Sequence, residues 1–357
     1  MSTTVNAPAQ DRDEDLNSLD IKRSQQMDLF TQFDLPSGRK RDYSNTVDIY
    51  DAIPKYVWGK TREHEDLKSA SITRHCTIRG ERITVKLKPA LIDKGDRTVL
   101  IYPGQREELV EDALRKIAVN GQGIYVNDKA GVSFTLYELM KELERMGHTY
   151  SLAEIKEALF VCRGSIIECY SEDGESVINS SLFGLLGLTT RKDLQKDRKG
   201  AKCYVQFNPL VNESIMNLTF RQYNYQVGMD IRSPLARFFY KRMCQYWTQA
   251  SEKHPYTPTL IAFLDQSPRG LTSKMGENLR AMRGALDTLK KHKVIERYEE
   301  EKVLKGKQKV IDARFTIYPH TDFVKEVIKA NQRNKVLKTR IIREGLEFTD
   351  IKGIKSK

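Results

Sequence analysis

The stretch Thr272–Pro319, "TSKMGENLRAMRGALDTLKKHKVIERYEEEKVLKGKQKVIDARFTIYP", decides how the rest of the chain is read. Its first part places Met275, Leu279, Met282, Leu286 and Leu289 at alternating spacings of four and three, the stripe of an amphipathic helix running from Ser273 to Lys293. Its second part gives two strands around the basic turn "LKGKQK", the later one alternating as Ile311, Ala313, Phe315 and Ile317. Upstream, "SPLARFFYKRMCQYWTQA" is a helix with Pro234 in its first turn, and "TPTLIAFLDQS" is a shorter helix closed by "PRG". Three helices followed by a hairpin is the order of a winged helix-turn-helix.

The same order is predicted earlier in the chain. "QREELVEDALRKIAVNG" is helical by Leu109, Ala113, Leu114 and Ile117 and stops at Gly121. "GIYVN" is a short strand. "TLYELMKELERMG" carries Leu136, Leu139, Met140 and Leu143 on one face, and "SLAEIKEALFV" opens on Ser151 with Glu154 three residues on, the signature of a capping box. Strands "SIIECYS", "LFGLLGLTT" and "KCYVQFN" follow, the last two joined by the basic connector "RKDLQKDRKGAK". Ahead of this block, "SITRHCTIRGERITVKLKPALI" alternates as a strand pair turning at "IRGERI". The expected fold class is therefore α+β, with two tandem winged helix-turn-helix domains and a disordered N-terminal tail. The expected divisions are a tail over 1–41, a first domain over 42–230, a second over 231–323 and a basic C-terminal tail over 324–357. For that last tail three readings stay open: following DNA phosphates, folding as an extra helix, or staying solvated.

Charge sets the function class. The 357 residues carry a formal net charge of +12, yet 28 Lys and Arg stand against 14 Asp and Glu from Ile231 onward, so the entire excess lies in the last third. A polyanion bound by that third is implied, with nucleic acid ahead of an anionic membrane, because no long basic amphipathic helix is evident. No run of about 18 apolar residues and no secretory leader pattern occurs, so a cytoplasmic protein without a membrane partner is expected. The five cysteines form no CxxC pair, and the six histidines never pair at metal-binding spacing, so no disulfide framework, metal site or cofactor is expected. "WGKT" has Pro54 where a phosphate loop needs its first glycine, and neither GxSxG nor HExxH is present, so no enzyme is expected.

On the long helix, 100° per residue sets Ser273, Glu277, Arg280, Ala281 and Gly284 opposite the apolar stripe, with Lys274 and Arg283 on the flanks. Small residues at 281 and 284 would let that face sit deep in a major groove. Arg280 could fork onto guanine O6 and N7, and Lys274 could take a phosphate or a base. Lys302, Lys305, Lys307 and Lys309 would let the hairpin follow the backbone or enter the minor groove. The plain alternative is a solvated helix face with ordinary surface lysines. The corresponding helix of the first block has Lys156 as its only basic residue beside Glu154 and Glu157, so that block reads as an interface for self-association or another protein. Arg191, Lys192, Lys196, Arg198 and Lys199 there could touch a neighbouring phosphate.

In "SPLARFFYKRM", "FLDQSPRG", "LRAMRGALDTLKKHKVIE" and "DARFTIYP", and in architecture over about Tyr50 to Phe323, the chain resembles the plasmid-encoded replication initiators of the Rep type (TrfA-like). The resemblance implies binding to directly repeated origin sites (iterons) in double-stranded DNA, with the second winged helix making the principal base contacts and the first contributing dimer contacts. It also implies melting of an AT-rich origin, contact with single-stranded origin DNA, recruitment of the host replicative helicase or its loader, control of plasmid copy number, and a nucleoid- or plasmid-associated place in a bacterium. "QMDLF" (Gln26, Met27, Asp28, Leu29, Phe30) resembles the pentapeptide by which many bacterial replication proteins bind the sliding clamp, with Met27 where leucine is common. Leu29 and Phe30 would fill an apolar pocket, with Gln26 hydrogen-bonding beside it. Two other readings stand beside this one: a winged-helix transcriptional repressor, acting for instance on its own promoter, and an origin-nicking relaxase.

Overall fold

Strand alternation and helix caps place the elements. The structure is a computed structural model that describes residues 42–59, 63–64, 71–78, 80–126, 129–172, 177–188, 202–306 and 308–344. Gln26 to Phe30, the connector residues Arg191 to Lys199, and Lys307 lie outside the described residues.

The front of the chain gives β1 (Tyr43–Val47), β2 (Glu63–His64), β3 (Ile72–Ile78), β4 (Glu81–Lys88), β5 (Ala90–Lys94) and β6 (Arg97–Ile101). β3 and β4 form the expected antiparallel pair, from Ile72↔Leu87 to Ile78↔Glu81, and Gly80 supplies the positive φ of 87° that the turn needs. Then come α1 (Gln105–Ile117), β7 (Gly123–Val126), β8 (Lys129–Phe134), α2 (Leu136–Arg145) and α3 (Leu152–Gly164). α1 ends in a wide turn over Ala118–Gln122 with Gly121 at φ 102°. Ser151 and Glu154 close the capping box read from the sequence: the Ser151 hydroxyl accepts from the Glu154 N–H at 3.2 Å, and the Glu154 carboxylate accepts from the Ser151 N–H at 2.7 Å. Thr135 and Glu138 build the same cap on α2.

After α3 the strands divide between two sheets. β9 (Ile166–Ser171) and β10 (Val177–Ser181) join β4 and β3, in the order β10-β9-β4-β3. β11 (Phe183–Gly187) and β12 (Cys203–Phe207) join β8 and β7, in the order β11-β12-β8-β7. The hairpin of this first helix-turn-helix is thus β11–β12, while "SIIECYS" belongs with the preceding strand pair, matched from Ile83↔Ser171 to Lys88↔Ile166. α4 (Pro209–Met216), β13 (Phe220–Asn224, paired with β1) and α5 (Tyr225–Asp230) lead to the second set: α6 (Pro234–Tyr246), α7 (Leu260–Asp265), α8 (Met275–Lys291), β14 (Ile295–Lys305) and β15 (Lys309–Pro319). Backbone bonds of Tyr256 to Ile317 and of Pro258 to Phe315 lay a third extended segment beside that hairpin.

α9 (Thr321–Glu344) takes up part of the basic tail, so the division expected at 323 falls inside a helix. Phe323, Val327, Ala330 and Leu337 are its buried stripe. Arg333 reaches Asn45 on β1, and Asn331 receives a 2.7 Å bond from Arg221 on β13.

A single apolar cluster runs through both sets, taking in Leu109 and Leu114 of α1 as well as Phe239 and Met243 of α6. α1 is buried on its charged side too. Arg237, fully buried, donates Nε and Nη2 to Glu108 at 3.2 and 3.0 Å, and Lys241 pairs with Asp112. Arg115 forks onto Asp51 at 2.8 and 2.9 Å. Burial opposes ionisation of Asp51, but Arg115 and Lys55 outweigh it and hold the carboxyl below its usual range. The same balance, struck by Arg237 and Lys241, lowers Glu108. All five cysteines are buried, and desolvation pushes the thiols of Cys76, Cys169 and Cys244 up to about 12.

Candidate nucleic-acid interface

The turn from α7 to α8 is built around one amide. Asn278 is buried, and its Oδ1 accepts from the Thr272 N–H and Arg269 Nη1 at 3.0 Å each, while its Nδ2 donates to the Thr272 carbonyl at 2.8 Å. Gly270 takes the positive φ of 69° that closes the turn. A buried amide satisfied on both ends fixes the angle at which α8 leaves the turn. Sequence periodicity passes over Asn278 because a polar residue on a buried face reads as an interruption. Its signal is an Asn six residues after a Ser/Thr-rich turn, one helical turn inside the helix.

α8 buries Leu279, Met282, Ala285, Leu286 and Leu289 and turns its other side outward. Ser273, Lys274, Arg280 and Gly284 are exposed, whereas Glu277, Ala281 and Arg283 are half-buried. Lys274 and Glu277 form a surface pair at 3.2 Å. Arg280 has no hydrogen bond or ion pair with another of the described residues. A Cβ built at Gly276 or Gly284 would meet nothing within 4 Å, so both flanks of Arg280 along the helix are open backbone.

Arg283, which helix phase sets on a flank of α8, is half-buried and engaged by the neighbouring hairpin. It is bound by a two-pronged contact to Glu300 on β14, at 2.7 and 2.6 Å, and this hydrogen bonding holds the Glu300 carboxyl below its usual range. Tyr298 OH donates to Asp287 at 3.2 Å one turn further on. The two contacts tie the root of the hairpin to α8. The acidic run "YEEEK" is otherwise matched by arginines, Glu299 with Arg297 at 2.7 Å and Glu301 with Arg314 at 3.9 Å. Beyond it Lys302, Lys305 and Lys309 are exposed, on the wing beside α8.

In the first set the equivalent helix, α3, shows a different face. Leu152 and Phe160 are exposed and Lys156 lies between them, while Glu157 is engaged by Arg106 at 2.6 Å and Lys94 at 3.5 Å. Among the described residues of α3 the basic side chains are Lys156 and Arg163. Among the described residues no group of three His, Cys, Asp or Glu gathers at metal-binding distance, and no helix is long and apolar enough to cross a membrane.

No family model matches the chain, and no curated protein matches it. Solved structures do resemble it. A crystal structure of RctB domains 2-3 superposes with a TM-score of 0.45 at 12% identity, covering 78% of this chain and 99% of that one. A selenomethionine derivative of domain 2 and domain 3 of RctB gives 0.46 at 12% identity, covering 76% and 96%. The Pi initiator protein in complex with iteron DNA gives 0.40 at 12% identity, covering 61% and 95%.

Proposed function

We propose that this protein is a sequence-specific reader of double-stranded DNA that starts plasmid replication by binding directly repeated origin sites, acting by binding and without catalysis. The observation that carries the reading is Arg280, a guanidinium on the exposed face of α8 between two glycines with open space above them. In a major groove a flat, open backbone permits close approach, and a free fork can take both acceptors of one guanine. Lys274 at the start of the helix and Lys302, Lys305 and Lys309 on the wing supply phosphate contacts on either side.

The step from DNA reader to initiator rests on the sequence resemblance in "SPLARFFYKRM" and "DARFTIYP", supported by the concentration of positive charge in the last third. Within that reading, α3 and its exposed Leu152 and Phe160 serve protein contacts, a second copy among them, and Gln26 to Phe30 engage the host sliding clamp. Origin melting and recruitment of the helicase or its loader complete the role. Enrichment of bound sequences from a random duplex library, followed by footprinting, tests it. One asymmetric motif protected in direct repeats is expected. An inverted repeat would indicate a repressor, and nicking of supercoiled DNA would indicate a relaxase.

A further inference from the structure

The wing separates its charges along its length. Its root is neutralised, with Glu299, Glu300 and Glu301 each facing an arginine. From Lys302 to Ile311 the sequence holds no acidic residue at all. Lys305 stands directly across from Lys309, an arrangement that repels itself unless an anion lies against it.

Among these lysines the tip exposes three apolar side chains, Leu304 at 49%, Val303 at 41% and Ile311 at 38%. None belongs to the buried cluster. The register explains how they come to be presented. Val303 pairs with Asp312 and Leu304 with Val310, so Ile311 is the extra residue of a bulge, a device that bends a ribbon and re-aims its side chains. By the period of two, Leu304 lies on the same face as Tyr298 and Glu300, whose side chains bond to Asp287 and Arg283 of α8. Leu304 therefore looks toward the side on which the reading helix stands, beyond the point where helices cover the sheet.

We propose that this tip is a wedge: Leu304, with the bulged Ile311 beside it, enters the minor groove next to the segment held by α8 and partly unstacks one base step, while Lys302, Lys305 and Lys309 hold the flanking phosphates. The inference rests on the DNA-reading function above and adds to it a deformation of the duplex produced by binding. Apolar side chains inserted between base steps kink DNA in this way, and a basic surround favours a polyanion over an apolar protein groove as the occupant.

The test uses the full-length protein and the duplex enriched from a random library, carrying 2-aminopurine in turn at each step of the minor-groove segments flanking the footprint. With the wild-type protein, fluorescence at one step is expected to rise on binding. With Leu304→Ser it is expected to stay at the free-duplex value, while affinity remains within about tenfold of wild type, because phosphate contacts carry most of the binding. Leu304→Met should restore the rise. Specific binding by wild type with no fluorescence change at any step, or a rise that survives Leu304→Ser, overturns the wedge and leaves DNA reading intact. The latter result would assign the apolar tip to a protein partner. Failure of wild type to enrich any sequence overturns both. Circular dichroism of each variant confirms folding, and the exposure of Leu304 gives no reason for it to fail.

Discussion

At the scale of single residues, Arg280 and its glycine neighbours make separable claims. Arg280→Ala is expected to cost about 1–3 kcal/mol on the specific site and to relax preference at one base pair; equal losses on specific and random duplexes, measured by fluorescence anisotropy, would contradict this. Gly284 sits in an exposed helix interior where glycine costs about 1 kcal/mol relative to alanine and no neighbour requires it. Gly284→Ala should therefore raise the urea midpoint, whereas Gly284→Gln should fold normally and bind the specific site more weakly. His148 gives a pH prediction. It lies between the two helix sets, with Nε2 donating to the Met229 carbonyl at 2.9 Å and Nδ1 accepting from Arg232 at 2.8 Å. Burial lowers its pKa and Arg232 and Arg237 add to this, against the Met229 bond and Asp230. The unfolded chain then binds the extra proton first, so stability is complete above about pH 6.5 and falls as pH drops from there through the folded value. Urea midpoints taken between about pH 7.5 and 5 should decline for wild type and be flatter for His148→Gln. An unchanged slope would assign the decline to other groups.

At the scale of elements, what can be read from the sequence depends on whether an element owes its form to its own residues. The capping box at Ser151 and Glu154, Pro234 at the start of α6, and the β3–β4 turn are local chemistry, and the structure places them as the sequence predicts. The fate of "SIIECYS" is not local: β9 pairs with β4, some eighty residues earlier, and no nearby pattern specifies that partner. Ile311 begins the alternation Ile311, Ala313, Phe315, Ile317 yet is exposed where the other three are buried, because the bulge at that point breaks the period. On α8 the exposure of Ser273, Lys274, Arg280 and Gly284 is legible, since it follows helix phase. The engagement of Arg283 by Glu300 and of Asp287 by Tyr298 is not, since each joins a helix to a strand. Replacing Lys302, Lys305 and Lys309 with alanine should reduce the slope of log affinity against log salt by about one for each phosphate that is no longer neutralised. No change of slope would remove the wing from the interface.

At the scale of the whole molecule, the two helix sets share a core and are joined by buried ion pairs between α1 and α6. Exchanging such pairs for apolar residues can be neutral, but removing one partner strands a buried charge at a cost of about 3–5 kcal/mol. Arg237→Ala should accordingly lower stability by that order in urea unfolding, and Glu108→Leu combined with Arg237→Met should recover much of it. The charges of α1 give no sign of this in the sequence, where they read as an ordinary polar helix face. Through this joint α8, the wing and α9 pack with the first set, so under the proposed function the molecule is expected to meet its DNA with one orientation. An oriented reader needs an asymmetric site, and Arg280 should decide one position in it. The most direct measurement is selection of bound duplexes from a random library with the full-length protein and, in parallel, with Arg280→Ala. The account predicts one asymmetric motif for wild type, containing a guanine whose preference disappears in the variant while the rest of the motif persists. No enriched motif, or an identical motif from both proteins, would contradict it.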